Sequence, residues 1–167
     1  MVLLDGKSKR KDRMKTLIVG CGSHVEFKEK DHVYLDIRPY KNVDVVHNCD
    51  DYPWPFEDNS FLNISAIHVV EHLHKLLTPF MDECWRILMP GGALYIETPC
   101  AGMDPDLEWA DPTHVRCYRP HSFTNYFLRA EMHKLNYTAR PWSLLHLEVP
   151  ESGPKKNCLI VHCSVIK

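Results

Sequence analysis

Two short runs hold the side chains best suited to chemistry. His68-Val69-Val70-Glu71-His72 has the H-x-x-E-H order in which two histidines on one helical face hold zinc beside a glutamate general base. Asp111-Pro112-Thr113-His114 offers another imidazole with a carboxylate close by. A neutral imidazole accepts a proton near neutral pH, which makes His72 and His114 candidate general bases. Asp111 could orient His114 or simply start a turn at its proline. The zinc reading needs a helix through His68 and His72. The run from Asn63 to Val70 is instead rich in β-branched residues and predicts a strand, which would part the two histidines. A metal-dependent hydrolase is therefore disfavoured, and no metal ligand is assigned.

A third feature is Gly20-Cys21-Gly22, directly after the apolar run 16–19. Glycine at a strand end permits a tight turn and lets a ligand approach the backbone closely. The dinucleotide fingerprint needs a third glycine where this chain has Val25, so pyrophosphate binding is disfavoured. Asp36 closes a second strand-like run, and an acid there can accept hydrogen bonds from ribose hydroxyls. Taken alone it is an ordinary loop aspartate. Its placement with Gly20 and Gly22 at successive strand ends favours the binding role.

These residues need a scaffold, and the hydrophobic pattern supplies one. Runs at 16–19, 32–37, 43–47, 62–70 and 93–97 predict buried strands. A helix is expected after the fourth, capped by Thr78, with Pro79 in its first position and Phe80, Met81, Cys84, Trp85 and Leu88 on one face. Pro90-Gly91-Gly92 should end it. Residues 100–123 read as a long Pro- and Asp-rich loop of the kind that carries function. A second amphipathic helix is expected at about 121–135, with Phe123, Phe127, Ala130 and Leu135 inward and Asn136 as its cap. Two strands at 142–149 and 159–166, joined by a turn-rich connector, suggest an antiparallel pair.

In order and spacing the chain resembles the class I S-adenosylmethionine-dependent methyltransferases. The matching elements are G-x-G at 20–22, the acid Asp36, D-x5-F-x-D-x-S-F from Asp50 to Phe61, E-H-L at 71–73 and R-x-L-x-P-G-G from Arg86 to Gly92. The run 109–123, "WADPTHVRCYRPHSF", resembles a compact subgroup with an Asp-Pro-Thr-His segment after strand five. The resemblance implies a Rossmann-like α/β sheet, mostly parallel with an antiparallel C-terminal strand. Only residues 23–33 lie between Gly22 and Tyr34, so the first helix must be shortened. It further implies S-adenosylmethionine as cofactor. Gly20 and Gly22 would pass its methionine portion, Asp36 would hold the ribose, and Asp50 would face the adenine amino group with Asp51 or Tyr52 beside it; Cys21 and Ile37 count among the cofactor-binding residues. His68 would lie under the cofactor, and Glu71 and His72 would border the acceptor. Methyl transfer from a sulfonium depends mostly on alignment, and a base is needed only where the acceptor must lose a proton.

Trp109, Arg116, Tyr118 and Arg119 could line an acceptor pocket or pack as ordinary loop residues. Trp54 and Phe56 are expected against the adenine edge or the sheet, and Trp85 in the core. None of the seven cysteines reads as a nucleophile. Composition sets the remaining bounds. With 167 residues and 44% apolar content, one domain over 16–167 is expected behind a basic tail at 1–15. A net charge of −2 gives no pull toward nucleic acid or anionic membrane. Scattered cysteines without C-x-x-C, no secretory signal and no membrane-length apolar segment predict a cytoplasmic protein with reduced thiols. The expected acceptor is a small molecule or sugar-type metabolite. The alternative is a degenerate cofactor-binding protein with a regulatory or scaffolding role.

Overall fold

Residues two apart on a strand share a face, and in β1 (Thr16–Val19) Leu17 and Val19 are enclosed on one face while Thr16 and Ile18 are half-buried on the other. The computed structural model describes residues 15–23, 25–125, 127 and 140–167. Within them run β2 (His32–Asp36), β3 (Val45–Val46), β4 (Phe61–Ile67), β5 (Leu88–Pro99), β6 (Trp142–Glu148) and β7 (Cys158–Val165). They form one sheet in the order β3-β2-β1-β4-β5-β7-β6, and only β7 opposes the rest. The strand order turns outward on either side of β1, towards β2 and towards β4. Open α/β sheets present a crevice at that place, outside the carboxyl ends of the strands.

Among the described residues between β1 and β2 there is no helix, only turns. Helix α1 (Leu77–Ile87) buries Leu77, Phe80, Met81, Cys84 and Ile87 against the sheet at the predicted spacing. It starts earlier than expected: Leu76 is the cap residue, without a side-chain bond, and Thr78 and Pro79 lie inside the first turn. Proline is tolerated there because first-turn N–H groups have no partner within the helix. The helix also ends before Pro90. Leu88 is already extended and begins β5, and Pro90-Gly91-Gly92 forms an irregularity inside that strand. Pairing with β4 jumps from Phe61↔Leu88 to Asn63↔Ala93 across it. A Cβ on Gly92 would lie 2.9 Å from the carbonyl oxygens of Leu62 and Met89, so the close approach demands glycine.

Other boundaries also differ from expectation. β3 keeps only two residues of 43–47, and β4 stops at Ile67 because His68 takes a left-handed φ of +53°. The long loop holds helix α2 (Pro105–Trp109), capped by the Asp104 carboxylate. Helix α3 (Pro120–Thr124) buries Phe123, and Phe127 is buried too. Ala130, Leu135, Asn136 and the basic run up to residue 14 lie outside the described residues. Trp54 is enclosed in the core, whereas Trp85 is only partly buried. The Trp85 indole donates to the carbonyl of Pro141, and Arg140 and Lys167 lie over its ring, 4.5 and 4.3 Å from the ring centre.

Arg86 ties α1 to the loop before β4. Its guanidinium pairs with Glu83 at 2.6 Å and Asp58 at 2.6 Å, and donates to the carbonyls of Trp54 and Phe56. Glu83 is buried and also accepts from the Trp54 N–H at 2.7 Å. Arg86→Ala strands that carboxylate, so urea unfolding should show a loss of about 2–4 kcal/mol. Combining Arg86→Met with Glu83→Gln should recover much of it. A single-variant loss below about 0.5 kcal/mol would show that the clamp is ornamental.

Candidate functional site

A cavity of about 480 Å³ opens where the sheet predicts it. Gly20, Asp36 and Ile37 line it from the ends of β1 and β2, Asn48 to Asp50 from the segment after β3, and His68, Val69 and His72 to His74 from the segment after β4. Gly20 and Gly22 have φ of +64° and +65°, a region that side-chain-bearing residues avoid. At Gly20 the space is denied as well, since a Cβ would lie 2.5 Å from Val69 Cγ2. Asp36 fixes this turn. Its Oδ2 accepts from the Gly22 N–H at 2.8 Å and its Oδ1 from the Arg38 N–H at 2.9 Å. Each oxygen keeps a second lone pair. Asp50 performs a parallel service, accepting from the N–H groups of His74 at 2.8 Å and Lys75 at 3.1 Å. It thereby joins the segment after β3 to the segment after β4.

Beyond Val69 the chain turns through a short 3-10 segment, Val70–His72. H-x-x-E-H is therefore not on an α-helix, and the geometry of a zinc-protease helix is absent. Glu71 points inward at 1% exposure. Its carboxylate accepts from the Thr98 hydroxyl at 2.9 Å and faces His68 Nδ1 at 3.1 Å. This hydrogen bond raises the His68 pKa, against the opposing effect of burial. The backbone carbonyl of Glu71 accepts from Val115 and Arg116 and draws the long loop onto the rim.

That loop delivers His114 beside His72, with ring centres 4.7 Å apart at 70°. Asp111 does not orient His114 through its carboxylate. It accepts from the N–H and hydroxyl of Thr113, which hold its carboxyl below the usual range, and Thr113 meets His72 Nδ1 at 2.9 Å. His114 Nδ1 faces the Glu108 carbonyl at 2.7 Å instead. Arg116 is not a free anion receptor either: its guanidinium donates to the carbonyls of Leu73, His74 and Lys75. Tyr118 is buried, and Trp109 is exposed.

The structure thus gathers Gly20, Asp36, Ile37, Asp50, His68 and His72 around one cavity. Cys21 and Gly22 form the adjoining turn, Asp51 is exposed to one side, and His114 stands at the rim behind His72. Burial and the nearby Asp36 push the Cys21 thiol up, which fits a filler and not a nucleophile. Sequence reasoning missed Glu97, which is buried at the end of β5 and pairs with Lys155 at 2.7 Å beside His68. Its position just before Pro99, at a central strand's carboxyl end, was the available signal.

Comparison with known proteins bears on this arrangement. Residues 17–96 match the family model described as a methyltransferase domain. No curated protein matches the chain. Similar solved structures include a SAM-dependent methyltransferase from Archaeoglobus fulgidus, at 14% identity and TM-score 0.62, covering 95% of this chain and 90% of that one. An S-adenosylmethionine-dependent methyltransferase from Mesorhizobium loti aligns at 12% identity and TM-score 0.63, covering 90% of each chain. The 1,6-didemethyltoxoflavin-N1-methyltransferase of Burkholderia thailandensis, solved with bound 1,6-didemethyltoxoflavin and S-adenosylhomocysteine, aligns at 10% identity and TM-score 0.61, covering 96% of this chain and 74% of that one.

The His68–Glu71 contact predicts a pH dependence. A folded-state pKa above the unfolded value of about 6.5 means that protonated His68 stabilises the fold below that pH. The contribution is lost as pH rises through the folded value. Urea unfolding of wild type and His68→Gln should therefore differ more at about pH 6 than at about pH 8. A gap that stays constant or widens with pH would contradict the assignment.

Proposed function

We propose that the chain, whose residues 17–96 match a methyltransferase-domain model and whose fold is that of S-adenosylmethionine-dependent methyltransferases, transfers a methyl group from S-adenosylmethionine to a small-molecule acceptor entering past His72 and His114. The observation that carries this reading is the cavity at the ends of β1, β2 and β4, with the Gly20–Gly22 turn and Asp36 in its wall. The cofactor is S-adenosylmethionine, and when bound it supplies a methyl group already activated on a sulfonium.

The residues present fit that group. Gly20 and Gly22 leave backbone bare of side chain on one wall, and Asp36 has one unused lone pair on each carboxylate oxygen for the two ribose hydroxyls. Cys21 belongs to the same turn, and Ile37, at 60% exposure, offers apolar surface beside Asp36. Asp50 and the adjacent Asp51 serve the adenine amino group, while Val69 and Leu73 supply apolar contact within the cavity. His68 closes the floor at the end of β4. His72 lines the cavity and takes a proton where the acceptor must lose one, with His114 behind it.

Localisation in the cytoplasm is part of the same proposal. All seven cysteines are unpaired. Among the described residues no helix is long and apolar enough to cross a membrane. A second reading, a cofactor-binding protein without turnover, draws on the missing helix between β1 and β2, which leaves the Ile37 side open.

S-adenosylhomocysteine at about 100 times its Kd should stabilise the protein by about 2.7 kcal/mol, read as a rise in Tm. Asp36→Ala should weaken that ligand about 10- to 100-fold in calorimetry. Unchanged affinity in the variant would sink the ribose assignment, and no stabilisation of the wild type would sink the reading itself. Binding without S-adenosylhomocysteine production from any acceptor in a broad panel favours the second reading.

A further inference from the structure

We propose that the methyl acceptor carries an oxyanion, a carboxylate or a phosphate, and that His68 receives it in the cavity as an imidazolium. This deepens the methyl-transfer reading and rests on it. Both ring nitrogens of His68 confront buried carboxylates: Nδ1 lies 3.1 Å from Glu71 Oε1, and Nε2 lies 3.8 Å from Glu97 Oε1. A neutral imidazole has one N–H and one lone pair, so either tautomer would turn a lone pair toward an anion. The protonated ring presents an N–H to each. Charge balance asks for the same form. Glu71 and Glu97 are 1% and 6% exposed, and carboxylates so buried need compensating charge. Lys155, at 2.7 Å from Glu97 Oε2, supplies one cation, and His68 supplies the second. The other neighbours add no charge. The Tyr95 hydroxyl donates to Glu97 Oε2 at 2.9 Å, and burial pushes up the Cys158 thiol, which lies within 4.8 Å of both the His68 ring and the Glu97 carboxylate. The raised pKa of His68 is in keeping with this balance.

The two carboxylates lie inside the wall, whereas the His68 side chain is 43% exposed and lines the cavity. Its 3.8 Å separation from Glu97 exceeds hydrogen-bond length, so among the described residues the Nε2–H has no hydrogen-bonded partner. A charged donor left unspent beside a cavity is a place for a ligand oxygen, and a charged oxygen makes the stronger bond. The rest of the lining favours the same class of acceptor. Among the described residues neither Lys nor Arg lines the cavity, and its acids, Asp36 and Asp50, stand on the β1 to β3 side. His68 and His72 stand on the β4 side, by which the acceptor enters in the methyl-transfer reading. A negatively charged acceptor is therefore drawn to the β4 wall and kept from the wall that serves the cofactor. The two reactants are sorted to opposite sides of one cavity, which is the arrangement that alignment for transfer needs.

The test follows the imidazole NMR signals of the full chain, saturated with S-adenosylhomocysteine, as acetate or inorganic phosphate is added at constant ionic strength. Comparison with His68→Gln identifies the His68 signal. Both probes should shift it saturably, with a Kd of about 1–10 mM. In His68→Gln, phosphate binding followed at the His72 signal should weaken at least about tenfold. Binding should fade as pH rises through the His68 pKa. Glu97→Gln removes one of the two carboxylates that favour the charged ring, so it should move that fading to lower pH. A His68 that only supports the fold would leave anion binding and its pH profile unmoved. Circular dichroism would confirm that the variants fold. Absence of a saturable shift in the wild type overturns the proposal, as does phosphate affinity indifferent to His68→Gln. Acetate that binds only the cofactor-free protein and is displaced by S-adenosylhomocysteine marks the cofactor's own carboxylate as the occupant, which overturns the assignment to the acceptor. Thermal stabilisation by S-adenosylhomocysteine is read on the same samples. Its presence without anion binding removes this inference alone, and its absence removes the methyl-transfer reading beneath it.

Discussion

A carboxylate held almost entirely out of water must be met by hydrogen bonds or positive charge, and Glu71 is the residue on which that requirement falls most heavily. Among the described residues its partners are a hydroxyl from β5 and the imidazole of His68. Its backbone carbonyl meanwhile collects two N–H groups from the long loop. One residue thereby joins the end of β4, the end of β5 and the segment that brings His114 into place. Remove that junction and the sheet would survive, but the two imidazoles would have no reason to meet.

The cleft divides its labour along the sheet. On the β1–β2 side the chain is shaped by backbone conformation, with glycines at positive φ and Asp36 holding the turn closed. On the β4–β5 side it is shaped by side chains, with His68, Glu71, Thr98, Glu97 and Lys155 linked by hydrogen bonds and ion pairs. The first kind of wall tolerates few substitutions because its geometry belongs to the main chain. The second can be retuned residue by residue.

Much of this was legible from the residue pattern, and the limits have physical causes. The strand runs and the cavity-lining Gly20 and Asp36 could be placed because strand ends and glycine turns leave local signatures, whereas Asp50 and His68 were placed by the family resemblance alone. The α1 cap was misplaced because Thr78 and Pro79 suit a helix start in isolation, while packing of Leu77 drew the helix back by two residues. Pro90-Gly91-Gly92 looked like a terminator and is an irregularity within β5, since β4 pairs on both sides of it. The partners of Arg116 and Glu97 could not be read at all. Each is chosen by contacts between segments far apart in sequence, such as Arg116 with residues 73–75. Periodicity and spacing carry no information about these.

The Arg116 clamp has an evolutionary consequence. It grips three successive main-chain carbonyls and no side chain of residues 73–75. Every amino acid supplies the same carbonyl, so His74 and Lys75 can drift without loosening the loop, while Leu73 is held by its place in the core. Two of them, Leu73 and His74, line the cavity. A lineage carrying this clamp can exchange the side chain of His74 at the cavity wall while the rim stays where it is.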